Sequence, residues 1–244
     1  VAEDPWLARQ LDALPDAYLL QTEPEQIADD LHALRATPPG SATAGGRFIP
    51  ETQSVVYTVY TSEDIAPGIF HRLCGALTGH GLAIRAAQIN TLADRLVLDR
   101  FWTVDPDYAG EPPAERIEAV NRSLVQALTT ASADAAPKFR KMWRSHDATS
   151  ITGRHARSRV QIDNATSDRY TIIDVFAHDR TGLLYGIART LFEQGLSVWR
   201  AKIGTHIDLV VDVFYVTDAD NNKITDPVQL QNLHHRLMEL LANS

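Results

Sequence analysis

Cysteine is nearly absent from this chain: Cys74 is the only one in 244 residues. An internal disulfide and a cysteine metal cage are therefore both excluded, and a reducing compartment, the cytoplasm, is expected. Long apolar runs are missing too. No stretch approaches the roughly 20 residues needed to span a bilayer, so no membrane association is expected, and Val1 does not open a charged-then-apolar leader. Positive charge is scarce: 23 Lys and Arg stand against 31 Asp and Glu, for a formal net charge of −8. Phosphate backbones need a basic stripe, so a nucleic-acid surface is not expected. The exception is the short basic stretch from Lys138 to Arg144, continued by Arg154, Arg157 and Arg159, whose composition suits a solvated connector or docking surface.

What the chain does contain is a repeat. Val55–Asp64 followed by Ala66-Pro67-Gly68-Ile69-Phe70 is matched by Thr171–Asp179 followed by Arg180-Thr181-Gly182-Leu183-Leu184. Gly81-Leu82 matches Gly195-Leu196, Ala87 and Ile89 match Ala201 and Ile203, and Asp99 and Phe101 match Asp212 and Phe214. Turn, helix-end and strand positions recur together, which marks a duplicated module.

The pattern within each copy is strand, helix, strand, strand, helix. Alternation predicts first strands at 55–61 and 170–177. Apolar stripes at Ile69, Leu73 and Leu77, and at Leu184, Ile187, Ala188 and Leu191, predict helices that end at Gly81 and Gly195. Strands at 82–91, 95–104, 196–205 and 208–217 and helices at 114–129 and 227–242 complete the pattern. The expected fold class is α+β: two tandem ferredoxin-like (βαββαβ) units preceded by a short helical segment. The expected divisions are a helical connector 1–36, with Thr22 and Glu25 as a capping box, and a breaker-rich linker 37–52. They continue with a first unit 53–133, an inter-domain connector 134–167 and a second unit 168–244. Residues 157–163 read as a strand that either completes the first sheet or lies beside the second.

Each copy offers a ligand corner. A strand ends near an acidic residue, Asp64 or Asp179, and a glycine leads into the next helix, whose first-turn N–H groups and dipole favour an anion. An amino-acid α-carboxylate suits the helix end and its ammonium suits the aspartate; the alternative is that the aspartates only cap. His146-Asp147 lacks partner ligands for a metal, and His234 and His235 diverge around a helix, so no metal site is expected. Phe101 and Phe214 read as core.

The string DVFAHDRTGLLYGIARTLFEQGLSVWRAKIGTHIDLVVDVFYVTD at 174–218 resembles the ACT domain, and most of all the second ACT domain of the PII uridylyltransferase/uridylyl-removing family. The first copy, with APGIF and AQINT, and LPDAYLLQTEPEQIA at 14–28 are similar to the preceding parts of the same proteins. Thr181 stands where that family usually has proline, and Asp29-Asp30 where basic and histidine residues are common. The resemblance implies a regulatory region with no catalytic site of its own, because the nucleotidyltransferase and hydrolase motifs are not in this sequence. It implies magnesium only for the parent's catalytic domains, and PII as a partner only through that parent. Glutamine or a similar amino acid is the implied ligand, contacting Asp64, Ala66, Pro67, Gly68, Ile69 and Asn90 in the first copy. In the second copy the implied contacts are Asp179, Arg180, Thr181, Gly182, Leu183 and Lys202. A rival reading is a non-enzymatic repeat protein that associates with itself or a partner through its sheets.

Overall fold

The computed structural model describes residues 4–130, 158–178, 180, 182–206 and 209–242. Three helices come first, α1 (Pro5–Ala13), α2 (Asp16–Gln21) and α3 (Pro24–Ala36). The first unit follows as β1 (Thr43–Ile49), β2 (Ser54–Ser62), α4 (Ile69–Gly79), β3 (Ala83–Thr91), β4 (Leu96–Val104) and α5 (Ala114–Thr129). The second is β5 (Arg159–Asp163), β6 (Thr171–His178), α6 (Leu183–Glu193), β7 (Ser197–His206), β8 (Leu209–Thr217) and α7 (Pro227–Ala242). All eight strands form one antiparallel sheet in the order β1-β2-β4-β3-β7-β8-β6-β5.

The α+β class and the two ferredoxin-like units are as expected, and the pairing resolves the open question of the strand at 157–163. Arg159–Asp163 pairs with β6 and so belongs to the second sheet half. In each unit the outermost strand precedes the other three in sequence, so β1 and β5 occupy the place that a final strand would take. This corrects one expectation. The stretch from Thr37 to Gly46 is not flexible linker throughout, because Thr43–Ile49 is a strand in register with β2 from Thr43↔Tyr60 to Ile49↔Ser54. Gly46 is there for clearance: a Cβ would meet Ile117 of α5 at 2.5 Å and the Tyr57 ring at 2.7 Å. A glycine-rich run that reads as a breaker is a contact surface for a helix. The capping box at Thr22 also gives way. Helix α3 starts at Pro24 with Glu23 as its N-cap and no side-chain cap, since proline at the first helical position removes one of the donors a cap would serve.

Alternation splits the sheet into two faces. On one, Tyr57, Phe101, Ile173 and Phe214 join Leu73, Leu77, Ile187 and Leu191 of α4 and α6 in a single core that runs through both units. Phe101 and Phe214 are fully buried there, as expected of core residues. On the other face of the first unit, Tyr60, Leu96 and Leu98 pack beneath α1–α3 with Leu14, Tyr18, Leu31 and Leu34. That layer is pinned by Asp30, fully buried, whose carboxylate accepts from the Tyr18 and Tyr60 hydroxyls, from Gln26 at 3.2 Å and from the Arg100 guanidinium. Every acceptor oxygen of the carboxylate is thus engaged, which is what a buried charge requires. The two units meet along β3 and β7 through Ala86↔Gly204, Ala87↔Ile203 and Gln88↔Lys202.

Candidate functional site

Both corners adopt the backbone that their glycines predict. Gly68 has φ 68° and Gly182 φ 81°, each the N-cap of its helix, and among the described residues neither helix has a side-chain cap. Left-handed φ at a bend of this tightness favours glycine. At Gly68 it also needs the missing side chain, because a Cβ would collide with the His71 ring and lie 2.7 Å from Phe192. Helix geometry leaves the N–H groups of Ile69 and Phe70 without an intrahelical acceptor. The opposite helix ends match as well: Gly81 and Gly195 are left-handed, and Leu82 and Leu196 donate back to Leu77 and Leu191 at 3.2 and 3.0 Å, a Schellman closure in each copy.

The Gly68 corner opens into a cavity of about 270 Å³ shared by both units. Its first wall comes from Glu63, from Ala66 to His71, and from Thr91, Arg95 and Asp99; its second from Ala188, Phe192 and the start of β7, Gly195 to Val198. The His71 and Phe192 rings stack across the unit boundary at 4.4 Å. Thus α4 presents its positive end to a space whose far side is the end of α6.

The polar lining is two carboxyl groups and one guanidinium. Glu63 accepts from Thr91 Oγ1 at 3.3 Å and pairs with Arg95 at 3.4 Å. Burial raises its pKa above the ordinary carboxylate value, against the opposing pull of Arg95 and Thr91. Asp99, 1% exposed, is pushed up to about 8 by burial, with the Asn90 N–H opposing at 3.4 Å and the Glu63 charge adding to the rise. Asp99 is therefore mostly protonated at neutral pH. Its counterpart Asp212, equally buried, accepts from the Gly204 N–H at 3.3 Å.

The residues expected at the site do not all meet. Ala66, Pro67, Gly68 and Ile69 line the cavity. Asp64 does not: its side chain is 73% exposed, and its carboxylate pairs at 3.4 Å with the same Arg95 Nε that Glu63 engages. Asn90 and Lys202 lie on the sheet face opposite α4 and α6, where Asn90 donates to the Leu98 carbonyl at 3.2 Å. In the second copy Leu183 is core, and Arg180 donates to the Leu240 carbonyl at 2.7 Å, at the C-terminal end of α7. Asp179 and Thr181 lie outside the described residues, as does the His146-Asp147 pair. The residue that sequence reasoning missed is Glu63. The signal was present in the strand: β2 runs to Ser62, so the first residue after it is Glu63 and not Asp64. Among the described residues no three His, Cys, Asp or Glu side chains group closely enough to hold a metal.

Residues 159–244 match the family described as "ACR9-like, ACT-like domain". The chain is 36% identical over 198 residues to the bifunctional uridylyltransferase/uridylyl-removing enzyme of Gluconobacter oxydans, covering 80% of this chain and 20% of that protein. Proteins of the same name from Zymomonas mobilis and Phenylobacterium zucineum are 29% and 30% identical, covering 92% and 99% of this chain and 24% and 25% of theirs. The chain thus spans a fifth to a quarter of the length of these relatives.

Proposed function

We propose, on the premise that the chain is an ACT-like regulatory region homologous to the C-terminal part of bifunctional uridylyltransferase/uridylyl-removing enzymes, that it senses an amino acid at the Gly68 cavity. Glutamine is the ligand this reading names. The observation that carries it is that one cavity, bounded by both repeats, holds an uncapped helix N-terminus, a cation and two carboxyl groups. Its volume is about that of nine waters, the scale of an amino acid.

The chemistry divides between the two ends of a zwitterion. The α-carboxylate goes to the N–H groups of Ile69 and Phe70 and to Arg95, where dipole and charge act together. The ammonium goes to Glu63, whose raised pKa falls again when a cation arrives, and Asp99 closes the polar wall as a neutral donor. Because the cavity walls belong to two units, a bound ligand favours one mutual arrangement of them. A coupling of about 1–3 kcal/mol shifts such a balance roughly 5- to 150-fold. In the parent protein this would set the balance between transfer of UMP to the PII signalling protein and its removal, in the cytoplasm.

The test is calorimetry of the chain with glutamine, glutamate and asparagine. Glutamine should bind and raise the melting temperature. Glu63→Gln should weaken binding at least tenfold, while Asp64→Ala should leave it within twofold. Absence of heat and of any melting shift at millimolar glutamine would sink the reading. A second reading rests on the sheet itself, whose outer strands β1 and β5 each pair on one side only among the described residues. A partner or a second copy adding a strand there is tested by sedimentation equilibrium, where a monomer at all concentrations speaks against self-association.

A further inference from the structure

The face of the sheet opposite α4 and α6 carries a second cavity, of about 440 Å³, at the seam between the units. Its floor follows from the register. Trp102 pairs with Ala86 and Ala86 with Gly204, and the Gly204 backbone lies against that of Val211. One row across four strands is therefore large, small, absent, large. Three inter-strand spacings make it roughly 14 Å from rim to rim. Trp102 is the aromatic rim, Val211, 38% exposed, is the apolar one, and Pro15 and Tyr18 of the α1–α2 layer overhang the first.

Charge is the second observation. Acids outnumber bases 31 to 23 in this chain, yet among the described residues no Asp or Glu lines this cavity, while Arg200 and Lys202 do. They are two residues apart on β7, in register with Tyr215 and Val213 of β8, so they rise from the same face. Lys202 is exposed and has no ion pair among the described residues. An uncommitted cation beside a slot floored by Ala86 and Gly204, with an indole rim and the Gln88 and Asn90 amides in its lining, suits a planar ring that carries an anion.

We propose that this seam slot binds an anionic aromatic small molecule of the nucleotide class, its ring lying over Ala86 and Gly204 beside Trp102 and its phosphate held by Lys202 and Arg200. Lys202, which the family resemblance assigns to the amino-acid site, instead belongs to this slot, and the two sites lie on opposite faces of one sheet.

The experiment is calorimetry of the chain with AMP, with adenosine and inorganic phosphate as its separate halves. AMP should bind more tightly than either half. Lys202→Glu should weaken AMP at least tenfold. Gly204→Leu should abolish binding by filling the floor. A Cβ there stands 3.7 Å from the Val211 carbonyl, an ordinary contact, so the fold tolerates it. Both variants should keep the wild-type melting temperature within a few degrees and keep glutamine binding, while Glu63→Gln should leave AMP binding unchanged. AMP affinity unaffected by Gly204→Leu or by Lys202→Glu in folded protein, phosphate alone binding as tightly as AMP, or no AMP binding at millimolar concentration would each overturn the proposal.

Discussion

Replacing Asp99 by asparagine isolates the buried carboxyl of the Gly68 cavity. In the unfolded chain this group ionises near 3.8, and in the folded protein burial holds it at about 8. The sign follows from proton binding: between these values the folded protein keeps a proton that the unfolded chain has released, so stability falls as pH rises through the window and levels off above it. Below pH 4 both states are protonated and the group contributes no slope. The window spans about four pH units, and at 1.36 kcal/mol each the wild type loses on the order of 5 kcal/mol across it. Asparagine has nearly the same shape and does not titrate, so it lacks this slope. Urea denaturation of both proteins from pH 4.5 to pH 9, taken as the difference between them, cancels the remaining groups. The asparagine variant should gain on the wild type by several kcal/mol from the acid to the alkaline end. Two parallel curves would refute the argument, because they would mean that Asp99 is ionised in the fold and compensated by something other than the Asn90 N–H.

Asp30→Ala should cost about 3–5 kcal/mol in urea denaturation, since it leaves the Arg100 guanidinium, 9% exposed, buried without its partner, and removes the acceptor of two tyrosine hydroxyls. Replacing Tyr60 by phenylalanine deletes one of those hydroxyls, bonded at 2.8 Å, and should cost about 0.5–1.5 kcal/mol by the same assay. Gly68→Ala forces a Cβ into the His71 ring at a left-handed φ and should lower the melting temperature and abolish glutamine binding together. Gly195→Ala has the same backbone strain but its Cβ meets no atom within 4 Å, so it should destabilise by only about 1 kcal/mol in urea denaturation.

The parts of the fold legible in the sequence were those set by local periodicity. Strands and helices with one buried face announce themselves, and the left-handed glycines at 68, 81, 182 and 195 fixed where they turn. What was not legible depends on contacts between distant segments. Gly46 looks the same whether it gives flexibility or makes room for Ile117, and only the position of α5 decides. Asp30 is one of two consecutive aspartates on a helix, and its burial depends on Arg100, 70 residues away. The candidate site split along the same line. The backbone corner was readable because a glycine before an apolar helix has few other uses. The side chains were not, because a one-residue error in where the strand ends exchanges an inward Glu63 for an outward Asp64.

The strand at Thr43–Ile49 changes how a signal could leave this region on the proposed reading. A flexible tether between the helical layer and the first unit would have absorbed any movement at the cavity. Instead the chain is held on both sides of residues 37–42. Before them, α3 is clamped to β2 and β4 through Asp30, Tyr60 and Arg100; after them, β1 is hydrogen-bonded along the whole of its length to β2. The segment is itself tied, with Thr37 Oγ1 donating to Ala33 O at 2.9 Å and Thr61 Oγ1 to Ser41 O at 2.9 Å. Strand β2 ends at Ser62, one residue before the Glu63 of the cavity, so a displacement of that strand is delivered to α1–α3 through packed and hydrogen-bonded contacts. A ligand that re-seats Glu63 therefore acts on the N-terminal helices mechanically. On that reading the Asp30 cluster is the contact through which a displacement of β2 reaches the N-terminal helices, since Tyr60 of β2 and Arg100 of β4 both bond the carboxylate carried by α3.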